Sequence, residues 1–323
     1  MSRKILVTGG AGFIGSNYVR HVLTTTDDTV TIFDALTYAG NRENIADLVD
    51  DRRCRFVHAD ITDQDAVVAQ LPGHDAVVHF AAESHVDRSI KDPYAFVRTN
   101  CDGTNVLCDV ARQAGVERFV HVSTDEVYGS IDVGSFSEED RLGPRSPYSA
   151  AKAGSDLIAL SYHSTYELPV VVTRSSNQFG PYQFPEKVIP LFVTNLLDGK
   201  KVPLYGDGMN VRDWLFVEDN VRAVDLVLRH GVIGSVYNIG AHNELPNVEL
   251  TNKLLALCGR DESFIEPVAD RLGHDRRYSI ATDKIAALGW RTEHDLDEAL
   301  HLTVEWYRAN RDWWEPLKAR ATF

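Results

Sequence analysis

The N-terminal segment reads Lys4-Ile5-Leu6-Val7-Thr8-Gly9-Gly10-Ala11-Gly12-Phe13-Ile14-Gly15-Ser16. Its apolar beginning predicts a short buried strand, and the residues from the last glycine through Leu23 are compatible with a helix. Between a strand and a helix, glycines spaced G-x-x-G-x-x-G indicate a phosphate-binding turn, because the backbone can approach a pyrophosphate at the helix N-terminus. Taken alone, the spacing also fits a plain strand–helix turn.

The next segments alternate between strand-like and helix-like patterns. Apolar runs at residues 29–33, 54–58, 76–80, 119–122 and 168–173 predict strands, and residues 93–114 and 147–166 predict long helices. Alternating apolar strands and helices are typical of parallel sheets covered on both faces. The sequence therefore predicts an α/β fold with a Rossmann-type, doubly wound parallel sheet.

The pattern loosens after about residue 175. Residues 174–181 predict a loop, and shorter elements follow at 204–208, 218–228, 236–240, 247–257 and 296–309. We expect residues 1–175 to form a dinucleotide-binding Rossmann domain that also carries the catalytic residues. Residues 176–323 are expected to form a smaller α/β substrate lobe, with some elements returning to the main sheet.

Bulk composition narrows the class of protein. The 323 residues carry a net charge of −14, which argues against a broad nucleic-acid or membrane surface. The four cysteines are scattered, so a disulfide framework or a metal site is not expected. No apolar run suggests a signal peptide or a membrane span, and we expect a cytoplasmic protein.

An acidic residue ends the second predicted strand. Asp34 lies about 20 residues after the glycine turn, where a carboxylate accepts a hydrogen bond from a ribose 2′-hydroxyl. A carboxylate there would repel a 2′-phosphate, so NAD is favoured over NADP. The alternative is that Asp34 only caps the turn into Leu36.

A hydroxyl and two carboxylates follow the fifth predicted strand, in the stretch Ser123-Thr124-Asp125-Glu126-Val127-Tyr128-Gly129. The carboxyl edge of an open parallel sheet is where ligands bind. Thr124, Asp125 and Glu126 therefore form a candidate proton-transfer set. Consecutive residues on a regular strand face opposite ways, so the strand must end near Ser123 for both acids to reach one substrate. The alternative is two exposed loop acids that cap the next segment.

Tyr148 and Lys152 are four residues apart on a predicted helix and share one face. An ammonium near a phenol stabilises the phenolate and lowers its pKa from about 10. Such a pair can take a proton from a sugar hydroxyl during oxidation. The alternative is an exposed tyrosine with an unrelated lysine one turn away.

These motifs resemble those of the extended short-chain dehydrogenase/reductase family. The glycine turn and Tyr148-x-x-x-Lys152 carry the general likeness. A finer likeness to the dTDP-glucose 4,6-dehydratases covers nearly the whole chain. It rests on residues 81–89, 123–129, 185–187, 204–208, 212–214 and 273–278. The Asp125-Glu126 pair is the most discriminating feature, since GDP-mannose dehydratases typically have Ser-Glu there and epimerases lack the acid/base pair.

The resemblance implies a three-step dehydration of dTDP-glucose by an NAD-dependent lyase. Tyr148, supported by Lys152 and Thr124, takes the C4 hydroxyl proton while NAD takes the C4 hydride. Glu126 then removes the C5 proton, and a protonated Asp125 helps the C6 hydroxyl leave as water. Hydride returns to C6 and gives dTDP-4-keto-6-deoxy-glucose. Burial and the charge of Glu126 are both expected to raise the pKa of Asp125.

The resemblance also implies two sets of binding residues. The expected NAD contacts are Gly9, Gly12, Phe13, Ile14, Gly15, Asp34, Leu36, Thr37, Asp60, Ile61, Phe80, Ala81, Ala82, Ser84, Thr99, Tyr148, Lys152 and Gln178. The expected nucleotide-sugar contacts are Ser84, Thr124, Asn177, Lys187, Val188, Pro203, Tyr205, Arg212, Asn247, Arg271 and His274. Arg276 and Arg277 are further candidates for a diphosphate clamp.

A homodimer is also implied, paired through the helices that begin near Gly103 and Tyr148. Two alternatives stay open. One is another nucleotide-sugar 4,6-dehydratase or a 4-epimerase, acting on a UDP- or GDP-sugar. The other is a non-catalytic NAD-binding regulator, which would need neither the acid pair nor the Tyr148–Lys152 pair.

Overall fold

The computed structural model describes residues 2–270 and 275–320. The strands are β1 (Lys4–Thr8), β2 (Thr29–Asp34), β3 (Cys54–His58), β4 (Ala76–His79), β5 (Arg118–Thr124), β6 (Val170–Ser175), β7 (Asn177–Phe179), β8 (Val202–Tyr205), β9 (Val211–Phe216), β10 (Val236–Ile239), β11 (Glu244–Pro246) and β12 (Ile265–Val268). The helices are α1 (Phe13–Thr25), α2 (Gln64–Gln70), α3 (Val86–Lys91), α4 (Pro93–Val97), α5 (Gly103–Ala114), α6 (Pro147–Tyr166), α7 (Val188–Leu197), α8 (Val217–His230), α9 (Asn247–Leu257), α10 (Asp283–Ala287), α11 (Leu296–Ala309) and α12 (Arg311–Arg320).

A seven-stranded sheet organises the molecule, in the order β10-β6-β5-β4-β1-β2-β3. Every neighbouring pair in it is parallel. The strand order reverses between β1 and β4, which places a ligand-binding crevice at their carboxyl ends. The predicted α/β fold with a Rossmann-type sheet is confirmed.

Two apolar layers cover the two faces of this sheet. Successive side chains of β1 point to opposite faces. Ile5 and Val7 pack into the core under α1 and α8, whereas Leu6 packs into the core under α5 and α6. Period-two alternation of this kind is what a strand buried on both faces requires. The sheet is therefore held rigidly from both sides, and its carboxyl edge is a fixed platform for the site.

The C-terminal half adds two small sheets. Strand β9 lies between β11 and β7, and β8 pairs with β12. A third apolar core fills the space beneath them, with Phe192, Leu254 and Trp314 among its buried members. Strand β10 leaves this half of the chain and pairs with β6 at the edge of the main sheet.

Two sequence-based expectations need correction. The predicted loop at 174–181 contains the end of β6 and the strand β7, because β7 pairs with β9, a partner that local periodicity does not reveal. The predicted long helix at 93–114 is interrupted by a π-helical turn at Arg98–Asp102. Within that turn, the buried Asn100 side chain accepts from the backbone N–H of Glu83 and donates to its carbonyl. This exchange holds the turn against the segment that follows β4, beside the crevice.

No helix among the described residues has the length and apolar character needed to cross a bilayer.

Candidate active site

The glycine turn fits against a neighbouring backbone so closely that side chains are excluded. Gly9 has φ +69°, and a Cβ added to it would lie 2.6 Å from the backbone nitrogen of Ala81. A Cβ on Gly15 would lie 2.2 Å from the carbonyl oxygen of Gly9. Helix α1 begins at Phe13 without a side-chain cap, so its first amides face the crevice as donors. Such a turn is built to receive an anion such as a pyrophosphate.

Asp34 closes the turn from the adjacent strand. Its buried carboxylate accepts backbone N–H bonds from Ala11 at 2.9 Å and from Leu36 at 2.8 Å. Burial raises its pKa, and these two bonds counteract that rise. Asp34 therefore caps the turn into Leu36 and also lines the crevice, so the two interpretations of this residue are compatible.

One cleft of about 1250 Å³, open mouth included, extends from the glycine turn to the start of α6. Its walls include these expected ligand residues: Gly9, Gly12, Phe13, Ile14, Gly15, Asp34, Thr37, Asp60, Ile61, Phe80, Ala81, Ala82, Ser84, Thr99, Tyr148, Lys152 and Lys187. Leu36 and Gln178 are not among its lining residues. The backbone N–H of Leu36 donates to Asp34, and its side chain packs against the core under α1 and α8.

The acid pair lies where β5 stops. The strand ends at Thr124, and Asp125–Val127 form a single 3₁₀ turn. The hydroxyl of Thr124 caps this turn by accepting from the N–H of Glu126 at 3.3 Å, and it donates to Asp125 Oδ1 at 3.2 Å. Because the strand has ended, the two carboxyl groups are freed from the opposite-facing alternation of a β-strand.

Asp125 is held in a setting that favours its neutral form. The residue is 3% exposed, and its Oδ2 has no hydrogen-bond partner among the described residues. Burial, followed by the charges of Glu126 and Asp213, raises its pKa well above the ordinary value. Arg212 and the Thr124 bond act in the opposite direction. The net result raises the pKa of Asp125 and favours its protonated form.

Tyr148 and Lys152 both line the cleft, on the first turns of α6. Burial lowers the pKa of Lys152 to about 8, and its Nζ donates to the carbonyl of Val122 at 2.7 Å. The expected lowering of the pKa of Tyr148 by Lys152 is wrong for the protein alone. Burial and the charge of Glu126 raise that pKa well above its ordinary value, and a hydrogen bond with Thr124 only partly offsets them. Tyr148 is thus a phenol before any ligand binds.

The expected sugar-nucleotide contacts come mainly from the C-terminal half. Asn177 and Asn247 each have a buried amide oxygen that finds no hydrogen-bond partner within the described residues, and the same is true of Gln178, which was expected to contact NAD. Unpaired buried acceptors are costly, and a polar ligand would satisfy them. Val188 begins α7, and Pro203 and Tyr205 lie on β8.

The candidate clamp residues divide into two groups. Arg276 pairs with Asp207, and Arg277 pairs with Glu244, so both have structural roles.

Arg212 is buried, donates to the carbonyl of Asp275 at 2.8 Å, and acts electrostatically on Asp125. Lys187 donates from Nζ to the carbonyl of Ser84 at 2.9 Å at the cleft wall. Arg271 and His274 lie outside the described residues.

Sequence reasoning missed several groups beside the site. Asp213 is 3% exposed, accepts backbone N–H bonds from Ala241 and Asn243, and raises the pKa of Asp125. It stands next to Arg212 within a motif already recognised, so its position was a usable signal. Glu186 lines the cleft and pairs with Arg88 at 3.4 Å. Both residues stand in segments that carry the family resemblance, 81–89 and 185–187, but their contact joins segments far apart in sequence and is visible only in the fold.

Comparisons with known proteins agree with this geometry. The family model described as GDP-mannose 4,6 dehydratase matches residues 6–303. The chain belongs to this dehydratase family. Among its relatives, the dTDP-glucose 4,6-dehydratase of Streptomyces antibioticus is 56% identical, with 98% of this chain and 96% of that protein aligned.

Solved structures of this dehydratase family and of its relatives share the fold. The crystal structure of DesIV, a dTDP-glucose 4,6-dehydratase from Streptomyces venezuelae with NAD bound, has a TM-score of 0.96 at 56% identity, covering 97% of this chain and 99% of that one. The UDP-glucose 4-epimerase of Thermus thermophilus with NAD has a TM-score of 0.88 at 32% identity, covering 95% and 99%. The resemblance found in the sequence motifs is confirmed, and the fold alone does not separate dehydratase from epimerase.

The close packing of Gly9 generates the first prediction. Gly9→Ala should abolish measurable dinucleotide binding, because its Cβ would push the Ala81 backbone out of the cleft wall. Gly115→Ala is the matched control, since Gly115 has φ +67° but nothing within 4 Å of the added Cβ. Calorimetric titration with NAD measures both variants. Alanine in the left-handed conformation costs about 1–2 kcal/mol in either variant. Because this strain is common to both, equal affinity for NAD would contradict the assignment of the glycine turn as the dinucleotide-binding turn.

Proposed function

We propose that the protein is an NAD-dependent hydro-lyase that converts dTDP-glucose to dTDP-4-keto-6-deoxy-glucose. The observation that carries the proposal is the acid pair: a buried Asp125 that favours its neutral form, one residue from Glu126 on a single turn at the carboxyl edge of the sheet. Elimination of water needs an acid at the leaving hydroxyl and a base at the adjacent C–H. The high identity to curated dTDP-glucose 4,6-dehydratases supports the choice of substrate.

The cleft fits NAD on three grounds. The turn around Gly9 and Gly15 has no room for side chains, the start of α1 offers free amides, and Asp34 is placed for a ribose hydroxyl. When bound, NAD supplies a positively charged ring that takes a hydride from C4 and returns it to C6. We propose that the other NAD contacts expected from the sequence, from Gly12 to Gln178, bind the same cofactor.

Tyr148 is the proposed proton acceptor of the oxidation step. Its hydroxyl is linked to Thr124, and the ammonium of Lys152 lies on the same wall of the cleft. Positive charge in the cleft favours the phenolate, whereas the charge of Glu126 opposes it. Lys152 therefore serves the step only while it is protonated.

Glu126 and Asp125 are the proposed base and acid of the elimination. Oxidation at C4 acidifies the C5 proton, and Glu126 removes it as a carboxylate. Asp125 holds the second proton, and its Oδ2 has no partner among the described residues, so this oxygen can donate to the C6 hydroxyl as it leaves. The two groups must have opposite protonation at the start, and burial supplies that difference.

We assign the sugar nucleotide to the C-terminal half. The unpaired amide oxygens of Asn177 and Asn247 support this placement, as does the buried guanidinium of Arg212 near the acid pair. Residues 1–175 then carry NAD and the catalytic groups, and residues 176–323 mainly hold the nucleotide sugar. The proposed set of sugar-nucleotide contacts also includes Lys187, Val188, Pro203 and Tyr205.

A 4-epimerase is the strongest competing function, because the epimerase fold is nearly the same. An epimerase needs the oxidation step but no elimination, and a buried neutral acid beside a carboxylate would serve no purpose in it. A regulator that only binds NAD would need neither a buried Asp125 at the end of β5 nor a buried Lys152 on the cleft wall. The burial of both favours a dehydratase.

We also propose a cytoplasmic homodimer. Helices α5 and α6 pack on each other, and α6 presents Leu157, which is 60% exposed, and Tyr166, which is 53% exposed. Val97 and Tyr94 on the adjacent α4 are exposed as well. Exposed apolar side chains on α4 and α6 support pairing of two copies through this group of helices.

Substrate choice is tested by incubating the protein with dTDP-glucose, UDP-glucose, UDP-galactose and GDP-mannose in parallel. We expect dTDP-glucose to lose one water, seen by mass spectrometry, and the others to react at least about 100-fold more slowly, an estimate based on about 3 kcal/mol of lost base contacts. Epimerised sugar without water loss, or preference for another nucleotide, would overturn the proposal.

The roles of the acid pair are separated by two near-isosteric variants. Glu126→Gln should still form reduced nicotinamide from dTDP-glucose but should stop solvent deuterium from entering C5. Asp125→Asn should keep both the oxidation and the C5 exchange, while water loss slows by about 10²–10⁴-fold. Absorbance of the reduced cofactor and NMR of the sugar measure these steps. Normal C5 exchange in Glu126→Gln would show that another residue is the base.

The dimer proposal predicts the effect of charge on the α6 face. Leu157→Asp should convert a dimer to a monomer, measured by analytical ultracentrifugation, because an aspartate would be buried without a partner. Leu302→Asp is the control, since Leu302 is 42% exposed on α11, away from α5 and α6. A wild-type monomer, or a Leu157→Asp dimer, would exclude pairing through this face.

A further inference from the structure

A group of buried polar side chains lies behind Lys152, on the side away from the cleft. Asp156 and Arg174 are 0% and 3% exposed, and His79 and His121 are 1% and 0% exposed. Such burial of charge is expensive unless every member has a partner. The mechanism proposed above uses none of these four residues.

Asp156 connects this group to the catalytic helix. It lies one turn after Lys152 on α6, on the same face. Its Oδ2 accepts from Nε of Arg174 at 2.9 Å, and its Oδ1 is 3.2 Å from Nε2 of His121. His121 precedes Val122, whose carbonyl holds Nζ of Lys152 at 2.7 Å. The carboxylate is therefore fixed beside the same stretch of β5 that holds the ammonium.

Arg174 extends the group to the acid pair. Its Nη1 donates to the hydroxyl of Tyr128 at 2.8 Å, and Tyr128 donates to Oδ1 of Asn238 at 2.8 Å. Tyr128 directly follows the turn that carries Asp125 and Glu126. The buried ion pair of Asp156 with Arg174 is thus linked to α6, which carries Tyr148 and Lys152. Through Tyr128 it is also linked to the end of the 3₁₀ turn that carries the acid pair.

We propose that Asp156, anchored by Arg174, is a positioning residue that keeps Lys152 charged behind Tyr148. Lys152 is fully enclosed, and an enclosed ammonium tends to lose its proton. A fixed carboxylate one turn away counteracts that loss. This inference rests on the proposed role of Lys152 in the oxidation step.

Among the titratable groups that face Lys152, Asp156 is the main negative charge that stabilises its ammonium. On β4 and β5, burial lowers the pKa of His79 and His121, so both are neutral at neutral pH. Burial also raises the pKa of the Cys101 thiol on the π-helical turn and of the Tyr148 phenol on α6, so both keep their protons. Arg174 on β6 is positive. Burial would raise the pKa of Asp156, but His121 and Arg174 hold it below its ordinary value.

The direction of the pH effect follows from these charges. Burial brings the pKa of Lys152 down to about 8, and Asp156 is the first of the groups that oppose this fall. Without the carboxylate, the ammonium would lose its proton at a lower pH. The oxidation step would then fail at a lower pH, while its acid limb would not move.

The test compares Asp156→Asn with the parent in a Glu126→Gln background, where reduced nicotinamide accumulates. We expect the alkaline limb of the oxidation rate to move down by about 1 pH unit. Asp28→Asn is the matched control: Asp28 is also buried and pairs with Arg229 at 2.7 Å, and it immediately precedes β2, at the opposite end of that strand from Asp34. It should lose stability without shifting the limb. An unmoved limb in Asp156→Asn, or an equal shift in Asp28→Asn, would overturn the proposal.

A second readout does not depend on activity. The folded pKa of Lys152 lies below its ordinary value of 10.5, so the unfolded chain binds more protons above about pH 8 and stability rises with pH there. In Asp156→Asn that rise should begin about 1 unit lower. The stability deficit of this variant should therefore shrink as the pH increases from about 7 to about 8, whereas the deficit of Asp28→Asn should stay constant. A constant deficit in both would mean that Asp156 only neutralises Arg174.

If Asp156→Asn does not fold, the double variant Asp156→Asn/Arg174→Gln replaces it. Removing both charges leaves no unpaired guanidinium in the interior, which is the costly outcome of the single change. The double variant should still shift the alkaline limb downward, by less than the single variant, because loss of the Arg174 charge partly offsets loss of the carboxylate. If the Glu126→Gln parent forms no reduced nicotinamide at all, the proposed function fails. If it does and the limb stays in place, only the role of Asp156 fails.

Discussion

A neutral carboxylic acid beside a carboxylate is the constraint on which the site depends. In the proposed elimination, Asp125 starts with its proton while Glu126, the next residue, acts as a carboxylate. Burial favours the protonated form of Asp125, which is 3% exposed, whereas Glu126 is half-buried. The charge of Glu126 then increases the difference, since a negative neighbour favours the protonated form of Asp125.

The rest of the fold serves to hold this pair against a dinucleotide. The parallel sheet ends β5 at Thr124, and the 3₁₀ turn that follows releases the acids from strand alternation. Helix α6 brings Tyr148 and Lys152 to the cleft that the glycine turn also lines. The C-terminal half adds Arg212 and Asp213, whose opposing charges adjust the acidity of Asp125.

Much of this arrangement could be predicted from local patterns. The strands of the main sheet, helix α6 and the glycine turn follow from periodicity and glycine spacing, and the motifs identify the family. Strand β7 could not be predicted, because its identity depends on pairing with β9. The pKa of Tyr148 was misjudged for a related reason. The spacing shows that Lys152 is near, but it does not show that burial and the charge of Glu126 raise this pKa by more than Lys152 lowers it. The ion pair of Asp156 with Arg174 likewise exists only in three dimensions.

The protonation of Asp125 can be measured directly. Infrared difference spectra between the wild type and Asp125→Asn isolate the carbonyl stretch of a protonated carboxyl group, and they can be recorded from about pH 5 to about pH 9, a range that brackets neutrality. We expect this band to persist at neutral pH and to disappear only on the alkaline side. A carboxylate signal from Asp125 at neutral pH, with no protonated band, would contradict it.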